Sequence, residues 1–338
     1  MTKVKFFVYA WLFLACCSLI WGCKPVTATA QEYPASKGEC VMEVQSKRIL
    51  YAQNADTRLP MASTTKIVTC MTVLKDCDNL EDVVTIPKEA VGIEGSSVYL
   101  KEGDCYTVKD LLYGLMLRSG NDCAVALALY CQGSIQAFAK RMNDFAESAG
   151  AVCSRFSNPH GLPAKNHYTT AYDLALMSCV ALQDPVFSEI VSTKYYEPRN
   201  WYNKNKLLTD YDNATGVKTG FTKEAGRCLV SSAKRNNMHV VGVVLHSPMM
   251  FERSKQLLND AFQAYTMTKL VDKGETLQNE NVIGECDRDC YYPLCDGEKQ
   301  HVECRIHPFS TKNKRNIVGQ FEIYLAKRLL FSGNLYKL

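Results

Sequence analysis

Ser63 and Lys66 lie three residues apart in Ser63-Thr64-Thr65-Lys66, a spacing that puts a hydroxyl and an amine on one face of a helical turn. A serine hydroxyl is a weak nucleophile until a nearby base takes its proton. A lysine can be that base once burial or a cationic neighbour lowers its pKa. Two more short motifs follow in order, Ser119-Gly120-Asn121 and Lys218-Thr219-Gly220. Each alone is an ordinary helix face, turn or strand end. Together they supply the parts of an acyl transfer: Ser63 as nucleophile, Lys66 as base, Ser119 to pass a proton to the leaving group, and Asn121 to hold both Lys66 and substrate. Lys218 and Thr219 would bind a substrate carboxylate, with Lys218 adding to the push on Lys66. Gly220, lacking a side chain, would let substrate lie along the strand. The main-chain N–H groups of Ser63 and Phe221 would stabilise the developing oxyanion. No metal site and no organic cofactor site is visible.

Elements must bring these motifs together. Cys40–Val44 and Arg48–Ala52 read as a hairpin, and Leu59–Ala62 leads into a helix with Ile67, Val68, Met71 and Leu74 at buried spacing. Amphipathic or apolar helices follow at Thr107–Leu117, Asn121–Tyr130, Ile135–Ala149 and Thr170–Leu182. Strands return at Thr215–Phe221, Cys228–Ala233 and His239–His246, the last two joined through the turn formers Asn236-Asn237. Lys218 is expected on a sheet edge. Phe251–Met267 reads as a closing helix. After Lys273-Gly274-Glu275 short alternating strands, among them Phe321–Leu325 and Leu329–Tyr336, suggest a separate β domain. The fold class is therefore α+β, an antiparallel sheet with a helical cluster plus a small C-terminal β domain. The expected divisions are 1–30 as an export signal, 31–270 as the catalytic domain and 271–338 as the β domain.

Composition narrows the function classes. The 338 residues carry 39 basic and 35 acidic side chains, a balance too mild and too dispersed to imply a nucleic-acid partner. Lys3 and Lys5 precede the apolar run Phe6–Trp21, and Ala28-Thr29-Ala30 is a small-x-small cleavage pattern, so the chain is expected to be exported. The run is short for a bilayer span. A retained membrane anchor, or lipidation at Cys23 within Ile20-Trp21-Gly22-Cys23, is the alternative, and either would give membrane association through the N-terminal segment. Of 16 cysteines, Cys16, Cys17 and Cys23 lie in or beside this signal. The remaining number is odd, so at least one thiol cannot pair within the chain. Cys70, Cys123 and Cys179 read as small buried hydrophobes. Cys286, Cys290, Cys295 and Cys304 lack the C-x-x-C pairs of a zinc site. One or two disulfides, unpaired thiols and a metal site all remain open readings.

The three motifs in this order are the signature set of penicillin-reactive serine enzymes, and over about Glu32–Thr268 the chain resembles the D-alanyl-D-alanine carboxypeptidases, the low-molecular-mass penicillin-binding proteins. Gly114–Asp122, Phe156–Leu162, Thr169–Ala175 and Gly216–Thr222 followed by Ala225–Leu229 carry the likeness. The resemblance implies a serine penicillin-binding, β-lactamase-like domain. It implies a peptidoglycan stem peptide ending in D-Ala-D-Ala as substrate, attack by Ser63 on the penultimate carbonyl, and β-lactams as covalent inhibitors. In this context His160 reads as structural rather than as a base. Many relatives continue into a C-terminal amphipathic helix that binds the membrane. Here Gly333-Asn334 interrupts helical periodicity, and strand is expected instead.

The same motifs also occur in β-lactamases, but the middle of the chain has no E-x-x-L-N segment to supply a deacylating glutamate, and the appended β domain argues against that reading. A D,D-endopeptidase is a closer rival. A non-catalytic wall-peptide or β-lactam scaffold would leave five intact chemical residues unexplained.

Overall fold

A computed structural model describes residues 33, 34, 36–309 and 316–338. The expected export signal over residues 1–30, with Cys16, Cys17 and Cys23, lies outside the described residues. The larger unit is built on a five-stranded antiparallel sheet in the order Ile49–Gln53, Gly38–Glu43, Met238–Leu245, Gly226–Arg235, Ala214–Thr222. Every residue of Gly38–Glu43 is buried, because both faces of the sheet are covered. Alternation along the strands feeds two cores. Cys40, Met42, Val230, Val241 and Val243 join the helical cluster, whereas Val41, Leu229, Val240 and Val244 face the helix Met250–Ala264 through Leu257 and Leu258. Burying each such side chain contributes about 1.5–3 kcal/mol.

The helical cluster surrounds Lys66–Asp76, in which Lys66 through Val73 are all buried. The helices Asn121–Gln132, Ile135–Ser148 and Ala171–Ala181 pack around it. Side-chain caps set several starts: Thr107 accepts from the Asp110 N–H, Ser134 from Ala137 and Thr170 from Asp173. The hairpin Gly226–Arg235/Met238–Leu245 turns through Asn236 and Asn237, both at positive φ (48° and 62°), the conformation that a two-residue turn between twisted strands demands.

Three local expectations change. Ser63 lies in a 3₁₀ turn, Ala62–Thr65, and the α-helix begins at Lys66. The second helix is α only over Val108–Tyr113 and widens into a π-helical turn over Gly114–Arg118, a device frequent at functional sites. The closing helix stops at Ala264, not Met267, because Tyr265–Val271 pairs as a strand with Cys290–Cys295.

Beyond this point a second five-stranded sheet runs Thr276–Gln278, Ile283–Cys286, Arg328–Tyr336, Ile317–Leu325, Val302–Pro308. The segment containing Gly333 and Asn334 is strand, as its alternation predicts. The sheet packs around Val271, Phe321, Ile323 and Leu335. Arg48, from the first hairpin, reaches this part of the chain. Its guanidinium donates to Pro293 O and both carboxylate oxygens of Glu298 at 2.6–2.9 Å, between the rings of Tyr265 and Tyr292. Among the described residues no single helix is long and apolar enough to cross a membrane.

Candidate active site

The 3₁₀ turn that carries Ser63 is held from below. Thr64 donates its side-chain hydroxyl to Met61 O at 2.7 Å, and Thr65 Oγ1 lies 2.9 Å from His167 Nε2. His167 Nδ1 accepts the Ser157 N–H, so Nε2 carries the proton and donates to Thr65. Burial pushes this imidazole down to about 4, which keeps it neutral in that arrangement. Ala62, just before Ser63, sits at φ 49°, a left-handed strain that surrounding contacts must hold.

Lys66 is wholly buried, and its Nζ has three partners: Ser63 Oγ at 3.0 Å, Asn121 Oδ1 at 2.5 Å and the main-chain oxygen of His160 at 2.8 Å. Two of these are obligate acceptors. A neutral amine has two N–H bonds and one lone pair, so it can donate to both carbonyl-type oxygens and turn the lone pair toward the Ser63 hydroxyl. Burial and then the charge of Lys218 press the Lys66 ammonium well below its ordinary 10.5. Asn121 is oriented without ambiguity, since its Nδ2 donates to Glu94 O at 2.6 Å.

Ser119 follows the π-helical turn in the left-handed conformation (φ 64°, ψ 33°), buried and two residues before Asn121. The strand Ala214–Thr222 forms the free edge of the sheet and passes over the Ser63 turn. A Cβ on Gly220 would stand 3.0 Å from Ser63 N and 3.1 Å from Met61 O, so only glycine lets the two backbones approach this closely. Lys218, 1% exposed, donates to Thr219 O at 2.9 Å. Burial, with Lys204 nearby, pushes it down to about 7. Phe221 is 60% exposed. Of the sequence candidates, Ser63, Lys66 and Asn121 are in direct contact, and Gly220 abuts Ser63.

The family model for D-alanyl-D-alanine carboxypeptidases matches residues 25–249. The chain belongs to this family. It is 33% identical over 261 residues to the D-alanyl-D-alanine carboxypeptidase DacF of Bacillus subtilis, covering 73% of this chain and 67% of that one. It is 36% identical to the D-alanyl-D-alanine carboxypeptidase of Streptomyces sp. strain K15, covering 67% and 86%. Penicillin-binding protein 5 of Haemophilus influenzae has the same fold, with a TM-score of 0.75 at 26% identity over 91% of this chain and 98% of that one. A serine-type carboxypeptidase, a hydrolase on the penicillin-binding fold, is thus the frame for the site.

Several supporting groups of the carboxypeptidase escaped the motif reading. His160 accepts from Lys66 Nζ through its carbonyl, and its ring accepts the Leu162 N–H at 3.2 Å with its pKa pushed down to about 3, chiefly by burial. Asn158 ties that segment by accepting the Gly161 N–H and donating to Leu162 O. The Asp122 carboxylate accepts from Ser97 Oγ and from the N–H groups of Val98 and Leu100, which pins the loop whose Glu94 O orients Asn121. The Asn158-Pro159-His160-Gly161 run was visible in the sequence, but a main-chain acceptor leaves no mark in a side-chain motif. Among the described residues no cluster of His, Cys, Asp or Glu is arranged for a metal ion.

Proposed function

We propose that Ser63 is the nucleophile with which this carboxypeptidase removes the terminal D-alanine of a peptidoglycan stem peptide outside the cytoplasm. The observation that carries the reading is the three-partner environment of Lys66. The stem peptide lies along the open edge of Ala214–Thr222 as an added strand. Its terminal carboxylate meets the Lys218 ammonium and the Thr219 hydroxyl. Ser63 Oγ attacks the penultimate carbonyl carbon while Lys66 Nζ takes its proton. The oxyanion is held by the N–H groups of Ser63 and Phe221, whose rigid backbones need no reorganisation as charge develops. Ser119 delivers a proton to the departing amine and regains one from the Lys66 ammonium, which restores the neutral amine; Asn121 keeps Lys66 and substrate aligned, and water later cleaves the acyl-enzyme with Lys66 again as base. A β-lactam would acylate the same oxygen. The N-terminal segment would provide a route of membrane association.

The direct test is to label the native protein with fluorescent penicillin, map the adduct, and follow D-alanine release from a D-Ala-D-Ala pentapeptide. An adduct on Ser63 with steady D-alanine release is expected. Absence of labelling would sink the reading. Rapid penicillin turnover would favour a lactamase, and labelling without D-alanine release an endopeptidase.

The pH dependence has a defined sign. Lys218 is charged below about 7 in the free enzyme, so its carboxylate-binding form is lost as pH rises through that value and KM should climb on the alkaline side. A bound carboxylate favours the ammonium, so kcat should persist to higher pH than kcat/KM. On the acid side the rate should fall as Lys66 becomes protonated. Lys218→Arg, charged throughout, should lose the alkaline rise in KM. A KM that stays flat from neutral to alkaline pH in the native enzyme would count against this role.

A further inference from the structure

Far from the cleft, two thiols face each other, Cys77 Sγ and Cys131 Sγ at 3.2 Å. Cys77 caps the C-terminus of the helix Lys66–Asp76, and Cys131 is the penultimate residue of the helix Asn121–Gln132. The near ends of the same helices meet through Lys66 Nζ and Asn121 Oδ1. The two helices therefore run side by side in the same direction, joined by a hydrogen bond at the catalytic end and by a thiol pair at the other.

We propose that Cys77 and Cys131 are a redox modification site, closing into a disulfide by exchange with a disulfide donor outside the cytoplasm and clamping the two helices that carry Lys66 and Asn121. A disulfide bond is about 2.05 Å long, so the sulfurs need approach by little more than about 1 Å. Both side chains are half-buried, which leaves the pair within reach of a donor. Cys70, Cys123 and Cys179 differ: they are buried, and burial pushes their thiols up. The hydrogen bond from Cys131 lowers the Cys77 thiol and raises that of Cys131, against the opposing push of burial and of Asp76, Asp82 and Asp78 on Cys77. Cys77 can therefore attack first, and because either sulfur can donate in this pair the reverse order gives the same disulfide.

The exchange balances. The Cys77 thiolate attacks one sulfur of the donor disulfide, forming a mixed disulfide and releasing the first donor thiolate, which takes up the proton Cys77 gave to solvent. Cys131 then loses its proton and attacks Cys77 Sγ, expelling the second donor thiolate, which is protonated in turn. Two chain thiols are oxidised to one disulfide, and one donor disulfide is reduced to two thiols. The bond closes a span of 54 residues, long enough to restrict the unfolded chain substantially.

The test uses the full chain, reduced and then equilibrated with oxidised glutathione. After alkylation and peptide mapping without reductant, a Cys77–Cys131 cross-linked peptide is expected. Tm should rise by about 5–15 °C over the reduced protein. The penicillin acylation rate at 25 °C should stay unchanged, because the Lys66–Asn121 contact is already made. Cys77→Ser and Cys131→Ser should each lose the glutathione-dependent rise in Tm. Free alkylation of both cysteines in the native chain, or a glutathione adduct that stays on Cys77, would overturn the proposal, as would a rise in Tm that survives in Cys131→Ser.

Discussion

Ser63→Ala, Lys66→Met and the double variant are expected to lose about the same activity, each about 10⁴-fold or more in kcat/KM for D-alanine release. The reason is that, in the proposed mechanism, the two groups act as one unit. Without Ser63 Oγ the base has no proton to take, and without the Lys66 lone pair 3.0 Å away the hydroxyl is an ordinary alcohol. Ser63→Ala should show no covalent penicillin at all. Lys66→Met should label slowly and incompletely, since the oxygen remains. Methionine fills similar space in a site that excludes solvent, but leaves Asn121 Oδ1 and His160 O without their donor. Each orphaned acceptor costs about 1–3 kcal/mol, partly offset because an amine no longer has to be desolvated. Calorimetry should therefore find a folded protein with a modestly lower Tm. If the single losses multiplied in the double variant, Lys66 would be acting apart from Ser63 and its role as base would fail.

Gly161→Ala should be the most damaging small substitution outside the motifs. Gly161 has φ +89°, and a Cβ there would lie 2.0 Å from Ala62 O, 2.4 Å from Ala62 C and 2.9 Å from Thr65 Oγ1. None of these atoms can swing away, because two are backbone and the third is hydrogen-bonded to His167. Left-handed strain and overpacking together are expected to destabilise the protein by about 3–5 kcal/mol. That corresponds to a Tm loss of about 10–15 °C. The displaced backbone belongs to the Ser63 turn on one side and borders the His160 carbonyl on the other. A shift of about 1 Å there should lower the acylation rate by about 10²-fold even well below Tm. The two measurements separate the effects: acylation at native speed at low temperature would mean that the turn tolerates the shift. Gly161→Ser should behave at least as badly.

Much of this architecture could be read from the residues. The hairpin, the helices around Lys66–Asp76 and the returning strands announce themselves through apolar spacing and the Asn236-Asn237 turn, both of which are local. The free edge that holds Lys218 was also legible, since its strand opens the returning series. The errors lie where a local pattern met a distant partner. Tyr265-Thr266-Met267 continues a helical pattern, yet main-chain pairing with Cys290–Cys295 draws it into a sheet. The π-helical turn before Ser119 and the 3₁₀ turn at Ser63 depend on what packs against them, and a periodicity averaged over several turns does not resolve one irregular turn. Cys77 and Cys131 gave no sign of being neighbours, because they stand 54 positions apart and only the packing of the segments between them brings them together. His160 was read as structural, and its carbonyl was invisible as a partner of Lys66.

The sequence by itself determined which chemical groups are present, their order, and the local elements that carry them: a hydroxyl and an amine one turn apart, an amide after a turn, and a lysine on an edge strand. Only the tertiary structure decided whether that amine can act as a base. The protonation state of Lys66 depends on the exclusion of water and on charges and acceptors within a few ångströms. Those come from Asn121, His160 and Lys218, residues far apart in the chain. Desolvation and Coulomb energy depend on distance in space, and chain spacing fixes that distance only within one element.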